Sequence, residues 1–303
     1  MFITSVRNYD YNEMTNDLLA LFKKYHYLKI GGIGKSVLDN DIPVIRWGEG
    51  DCRVLLCGSH HGNEWITSLL LMRFLEILCK ERNLENEEIV DLYSEASYYI
   101  IPMLNPDGVN LSIHGLTDEI PVDIRTKLIA ANNESSDFKG KWQANIRGVD
   151  LNHNYDAAFL RGCAFAQKLG ITGPGPTRFS GEKPESEPES KALVSFTKKL
   201  MPDICAAYHS QGEIIYADFD GKATKRAKRI AEELSRLSGY NLDQTEGVAS
   251  CSGYKDWVIN ELYLPAYTIE VGLGENPLPF SQFDKILKDN LKMLIFMGHI
   301  NRF

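Results

Sequence analysis

Apolar positions fall into two rhythms along the chain. Helical spacing recurs near Asn12–Lys24, Asn63–Cys79, Ala157–Leu169, Glu187–Leu200 and 222–238, and again from Ser281 onward, which predicts helices there. Between them, short apolar runs near Pro43–Trp47, 54–58, Tyr98–Leu104, 204–209 and 266–271 predict strands bounded by turns. From Leu104 to Asp156 neither rhythm holds, and a long irregular stretch is expected. Strands alternating with helices of this length imply an α/β fold, a mixed, largely parallel sheet covered by helices on both faces. The most loop-like segment, Ser180–Pro188, is acidic and marks a solvated loop leading into a helix. No linker or repeat divides residues 1–303, and 44% hydrophobic content is enough for the large core of a single domain.

Polar interruptions of this pattern carry the chemistry. Shortly after the run Val54–Cys57 the chain reads His60-His61-Gly62-Asn63-Glu64-Trp65. His61 then lies just past a strand end and Glu64 in the first turn of the next helix, so both can face one crevice beyond the strand. A second run, Cys205–Tyr208, stops at His209 before Ser210-Gln211-Gly212 and brings another imidazole to a strand end. Two nitrogens and a carboxylate suit a zinc ion that keeps a position open for water. Taken singly, the His-x-x-Glu pair is as well explained by a surface turn, and His209 by a core histidine. Glu270, inside the apolar run 265–272, shifts that balance, because a carboxylate there is costly unless it is paired or metal-associated. Beside a zinc site it can take a proton from water as general base and return it to a leaving amine.

The stretches Gly58–Thr67, Asn105-Pro106-Asp107-Gly108, Gly148-Val149-Asp150-Leu151-Asn152, Tyr208-His209-Ser210, Asp256-Trp257 and Thr268-Ile269-Glu270 resemble, in order and spacing, the zinc carboxypeptidase family related to carboxypeptidase A. The resemblance runs from about Tyr9 to the last helix. Tyr9-Asp10-Tyr11, Ile33–Val37 and Tyr267–Gly272 followed by Gly274–Pro279 look like one branch of it, the bacterial γ-D-glutamyl-L-diamino acid peptidases that cut cell-wall peptides. The resemblance implies one catalytic domain with His61, Glu64 and His209 as zinc ligands and Glu270 as the catalytic carboxylate. His60 falls outside the ligand register and is expected behind the site.

Departures from the family pattern bear on specificity. Where ordinary carboxypeptidases carry an arginine that clamps the substrate carboxylate beside Asn152, this chain has His153, a titratable ring in place of a planar fork. The family arginine that polarises the scissile carbonyl falls on Gln143, which can donate a hydrogen bond to an oxyanion but brings no charge. Lys141 and Arg147 lie near in sequence and are alternative sources of that charge. At the expected base of the side-chain pocket stands Lys255, which would repel lysine or arginine and attract a carboxylate such as the far end of meso-diaminopimelate. The family's capping tyrosine falls near Val248, so Tyr254 or Tyr267 is expected to take its place.

A formal net charge of -8 speaks against a broad nucleic-acid surface. Gly31-Gly32-Ile33-Gly34-Lys35-Ser36 has only the end of a phosphate-binding loop, since Lys29 occupies the first glycine position. No apolar run reaches membrane-spanning length, and Asp10, Glu13 and Asp17 interrupt any signal-like segment. The six cysteines show no paired metal spacing and fit buried thiols in the cytoplasm. The leading expectation is a zinc peptidase acting on muropeptides or other small peptides, with no nucleic-acid or membrane partner. A zinc amidohydrolase of the same fold is the alternative, and a non-catalytic binding protein the third, which has no need of Glu270.

Overall fold

A strand buried on both faces must be apolar at successive positions, and the central strands follow that rule. The computed structural model describes residues 8–303. Its elements run α1 (Tyr11–Lys24), β1 (Lys29–Lys35), β2 (Asp41–Trp47), β3 (Cys52–Cys57), α2 (Trp65–Asn83), α3 (Glu87–Glu95), β4 (Ala96–Ile101), α4 (Pro106–His114), α5 (Val122–Ala131), α6 (Phe159–Lys168), α7 (Pro188–Leu200), β5 (Ile204–His209), β6 (Ile214–Tyr216), α8 (Lys225–Ser238), β7 (Asn241–Asp243), α9 (Tyr254–Trp257), β8 (Ala266–Glu270) and α10 (Phe283–Met297). Eight strands among the described residues form one sheet in the order β1-β2-β4-β3-β5-β8-β6-β7. The four central strands are mutually parallel, while β2 and β6 join them antiparallel on either side.

Alternation along these strands sends side chains to two cores. Val54 and Leu56 of β3, with Ala206 and Tyr208 of β5, meet Leu18 of α1, Leu69 of α2, Ile230 of α8 and Met293 of α10. On the other face Leu55, Cys57, Cys205 and Ala207 meet Leu193 of α7 and Trp257 of α9. Full burial of each large apolar side chain stabilises the fold by roughly 1.5–3 kcal/mol, so the carboxyl ends of β3, β5 and β8 are anchored from both sides.

Two departures from expectation have physical reasons. The stretch from Leu104 to Asp156 is not simply irregular, since it holds α4 and α5. Of the α5 side chains only Leu128 is buried, so no apolar stripe announces that helix, while α4 starts from Asn105, whose side chain accepts from Gly108 N, with Pro106 in the first turn. Glycine-rich Gly31–Lys35 lies in the edge strand β1, whose mostly exposed positions carry no apolar alternation.

Candidate active site

All the residues expected to carry chemistry at strand ends meet beyond the carboxyl ends of the parallel strands. His209 closes β5 and Glu270 closes β8, and the two are register partners in the ladder. His61 and Glu64 lie between β3 and α2 in a loop held by main-chain bonds from Leu104 N to Gly58 O (3.1 Å) and Asn105 N to Ser59 O (3.1 Å). The Asn105 amide adds bonds to the carbonyls of His60 (3.1 Å) and Ala144 (3.2 Å). Glycine at position 62 is dictated by close approach: a Cβ there would sit 2.4 Å from Gly108 O and 2.9 Å from Trp142 O.

The candidate ligand atoms converge. His61 Nδ1 is 2.8 Å from Glu64 Oε1, His209 Nδ1 is 3.1 Å from Glu64 Oε2, and the two Nδ1 atoms stand 3.4 Å apart. One donor atom from each residue lies within 4.8 Å of the others. Two imidazole nitrogens turned toward each other and toward one carboxylate form a set that a borderline-soft cation satisfies, so the residues fit zinc. His61 Nε2 lies 3.1 Å from Asp150 Oδ1, the carboxylate–histidine arrangement that fixes the tautomer of a ligating ring. Asp150 is in turn held by Arg178 N (2.8 Å) and Thr177 Oγ1 (3.3 Å). His209 Nε2 is buried without a hydrogen-bond partner among the described residues.

Electrostatics separate the histidines. Burial disfavours protonation of His61, but the carboxylates of Glu64 and Asp150 outweigh it and raise its pKa well above the ordinary value. Burial likewise would raise Glu64, yet His61 and His209 hold it low. His60 is depressed by burial and by the neighbouring histidines. It stacks on His209 with ring centroids 5.1 Å apart and reaches Tyr155 Oη through Nε2 at 3.1 Å, a place behind the ligands. Burial first, and the Glu64 charge second, push the Glu270 carboxyl well above its usual range. A nearby cation opposes that shift.

The remaining candidates divide. Gln143 is bound into the site by its main chain, accepting from Gly62 N at 2.8 Å. Asn152 and His153 follow Asp150, with Asn152 Oδ1 accepting from Tyr254 N (3.1 Å) and His153 Nδ1 lying 3.3 Å from Cys251 O. Tyr254 does not stand over the cleft as a cap: it is 1% exposed, and its hydroxyl meets Thr197 Oγ1 at 2.7 Å. Tyr267 is buried too and donates to Ala227 O. Lys255 is no open cation, because its buried Nζ pairs with Asp256 and donates to Asp218 O (2.6 Å); a buried ammonium needs such a partner. Lys141 and Arg147 pair with Asp137 and Glu187. Asp150 is signalled in the sequence by the Asp-x-Asn motif, whereas Asn276 enters only through a tertiary contact, its Nδ2 lying 3.2 Å from Glu64 Oε1.

Comparison with known proteins gives this geometry its family. The zinc carboxypeptidase family model matches residues 19–293. The chain belongs to the zinc carboxypeptidase family. It is a zinc metallopeptidase, and its sheet-and-helix architecture is that of carboxypeptidase A-like enzymes. It is 37% identical over 298 residues to gamma-D-glutamyl-L-diamino acid endopeptidase 1 of Lysinibacillus sphaericus, covering 97% of this chain and 73% of that protein. Among solved structures, bovine thrombin-activatable fibrinolysis inhibitor superposes with a TM-score of 0.75 at 17% identity, covering 98% of each chain. Carboxypeptidase A of Helicoverpa armigera gives 0.72 at 18% identity, covering 99% of this chain and 74% of that one. No helix among the described residues of this zinc carboxypeptidase family member is long and apolar enough to cross a membrane.

Proposed function

We propose that this metallopeptidase hydrolyses the γ-D-glutamyl bond to meso-diaminopimelate in bacterial cell-wall peptides. The observation that carries the reading is the 37% identity to the Lysinibacillus endopeptidase across almost the whole chain, reinforced by His153 and Gln143 where other family members use arginine. His61, Glu64 and His209 would hold a zinc ion, which when bound would supply Lewis acidity toward the scissile carbonyl and water. Glu270 removes the proton of the attacking water and delivers it to the departing amine. Gln143 donates a hydrogen bond to the developing oxyanion. Asn152 and His153 place the substrate carboxylate or amide beside the bond being cut.

Lys255 has three N–H donors and two acceptors in Asp218 O and Asp256. The third is proposed to meet the distal carboxylate of the diamino acid. Selection then rests on a hydrogen bond rather than on open charge, and a lysine-ending analogue leaves that donor unpaired.

Matched γ-D-glutamyl tripeptides ending in meso-diaminopimelate and in L-lysine, with products read by mass spectrometry, test the reading. Cleavage at the γ-D-glutamyl bond is expected, with kcat/KM about 10-fold or more in favour of diaminopimelate, the worth of one hydrogen bond to a charged group. The preference should shrink in Lys255→Met. No cleavage of either tripeptide by zinc-loaded protein that hydrolyses other peptides would refute the substrate, and an unchanged preference in Lys255→Met would remove that residue.

A further inference from the structure

We propose that Asn276 is a positioning residue for the ligand Glu64, aligned for that task by Ser210. The inference rests on the metal-ligand set and is independent of the substrate proposed above. Asn276 Nδ2 lies 3.2 Å from Glu64 Oε1 and 2.6 Å from Ser210 O, while Ser210 Oγ donates to Asn276 Oδ1 at 2.8 Å. The amide is thereby gripped at both ends. Rotating it by half a turn would set its oxygen against the Ser210 carbonyl and the Glu64 carboxylate, so the N–H is directed to Glu64.

What makes this bond matter is the change in the partners of Glu64 when a cation enters. The nearest groups to its two oxygens are His61 Nδ1, His209 Nδ1 and Asn276 Nδ2. An imidazole nitrogen that ligates a metal carries no proton, so both histidines then stop donating to the carboxylate. Of these three groups, Asn276 alone keeps a hydrogen to give, and a ligating carboxylate needs such a partner to stay oriented. Asn276 thus serves Glu64 as Asp150 serves His61.

The surrounding chain fixes the amide. Ser210 directly follows the ligand His209, and Val271 N donates to His209 O at 2.9 Å. On the far side, Pro277 packs on the Gly140 turn, where an added Cβ would meet its Cδ at 3.2 Å, and Leu278 is buried against Gly272. The loop after Glu270 therefore brings ligand-bearing segments from β3 and β5 to one side chain.

Zinc affinity, measured by competition with a chromophoric chelator, and thermal unfolding of the metal-free protein together test the proposal on Asn276→Ala and Asn276→Leu, with His209→Ala as the control for the ligand set. Asn276→Ala is expected to weaken zinc binding roughly 10- to 100-fold in protein that still folds without metal, with a lower metal-free unfolding temperature because the buried Ser210 groups lose their partner. Ser210→Ala should weaken it less, and the double variant no further than Asn276→Ala alone, because Ser210 acts through the amide. Affinity within about twofold of the parent in a folded Asn276 variant would overturn the role, the expected change being at least tenfold. Should neither Asn276 variant fold, Ser210→Ala with unchanged zinc affinity would decide against the proposal, and a selective loss would support it.

Discussion

Two regions of the molecule bury carboxylates, with opposite results. In the strand-end cleft Glu64 and Asp150 face imidazoles, and one of those rings, His209, keeps a buried nitrogen without a partner among the described residues. In the other region Asp107 accepts from Ser36 Oγ (2.7 Å), Asn40 Nδ2 (2.8 Å) and Leu38 N (2.8 Å). Glu187 and Glu189 both accept from Asn145 Nδ2, at 2.8 and 3.3 Å, and Glu189 also takes Val37 N at 3.1 Å. Hydroxyls and amides complete the second set by donating, whereas the first turns imidazole nitrogens and a carboxylate toward one point, an arrangement suited to a cation. Burial raises Glu189 to about 8, with Asp107 and Glu187 nearby adding to it; the comparably buried Glu64 is held low by histidine. Depth alone does not make an acid functional, and the chemistry of its partners separates the two regions.

The sharpest way to break the comparison is Glu270→Gln. Turnover should fall by roughly two to four orders of magnitude while zinc affinity stays at the parental value. Steady-state kinetics paired with metal analysis check both, and near-parental turnover would remove Glu270 as base.

Asp107→Ala should do the reverse. Three donors lose their acceptor at roughly 1–3 kcal/mol for a buried group left unpaired, so a drop of about 3 kcal/mol in unfolding free energy is expected. Zinc affinity should not move. Denaturant unfolding and chelator competition read the two quantities, and weakened zinc with intact stability would erase the distinction between the regions.

The smallest effect concerns Glu189 and pH. Its folded pKa of about 8 lies above the ordinary 4.5, so the folded state holds the proton longer. Its contribution to stability is full at pH values below the ordinary pKa and is lost as pH rises through about 8. Glu189→Gln stays neutral and should gain about 1 kcal/mol on the parent between pH 6 and pH 7. Parallel unfolding curves of the two proteins at those pH values would show the carboxyl to be ionised throughout.

The cleft was more legible in sequence than the acidic cluster because its signals are local. His61 and Glu64 are three residues apart, His209 and Glu270 each end an apolar run, and strand ends in a parallel sheet share one edge. Central strands were visible for the same reason, whereas β6 and β7, three residues each, and the exposed β1 gave no periodic signal. Tyr254 misled because a tyrosine hydroxyl is satisfied as readily by a core threonine as by solvent. Lys255 misled although its ion-pair partner, Asp256, is the next residue. Ser36 and Asp107 are 71 residues apart, and their bond exists only in three dimensions, as does that of Asn276.

His209 and Glu270 are neighbours across a hydrogen-bonded parallel ladder, so their backbones stand one interstrand spacing apart, about 4.8 Å. That interval works as a mechanical gauge. Loop fluctuations leave it unchanged, because altering it means shearing a sheet packed on both faces. Gln143 and His153, by contrast, ride on connecting segments, which tolerate change more readily than packed strands do. Recognition loops can therefore change without altering the interval between His209 and Glu270, and an inhibitor that spans those two positions would meet the most rigid dimension of the cleft.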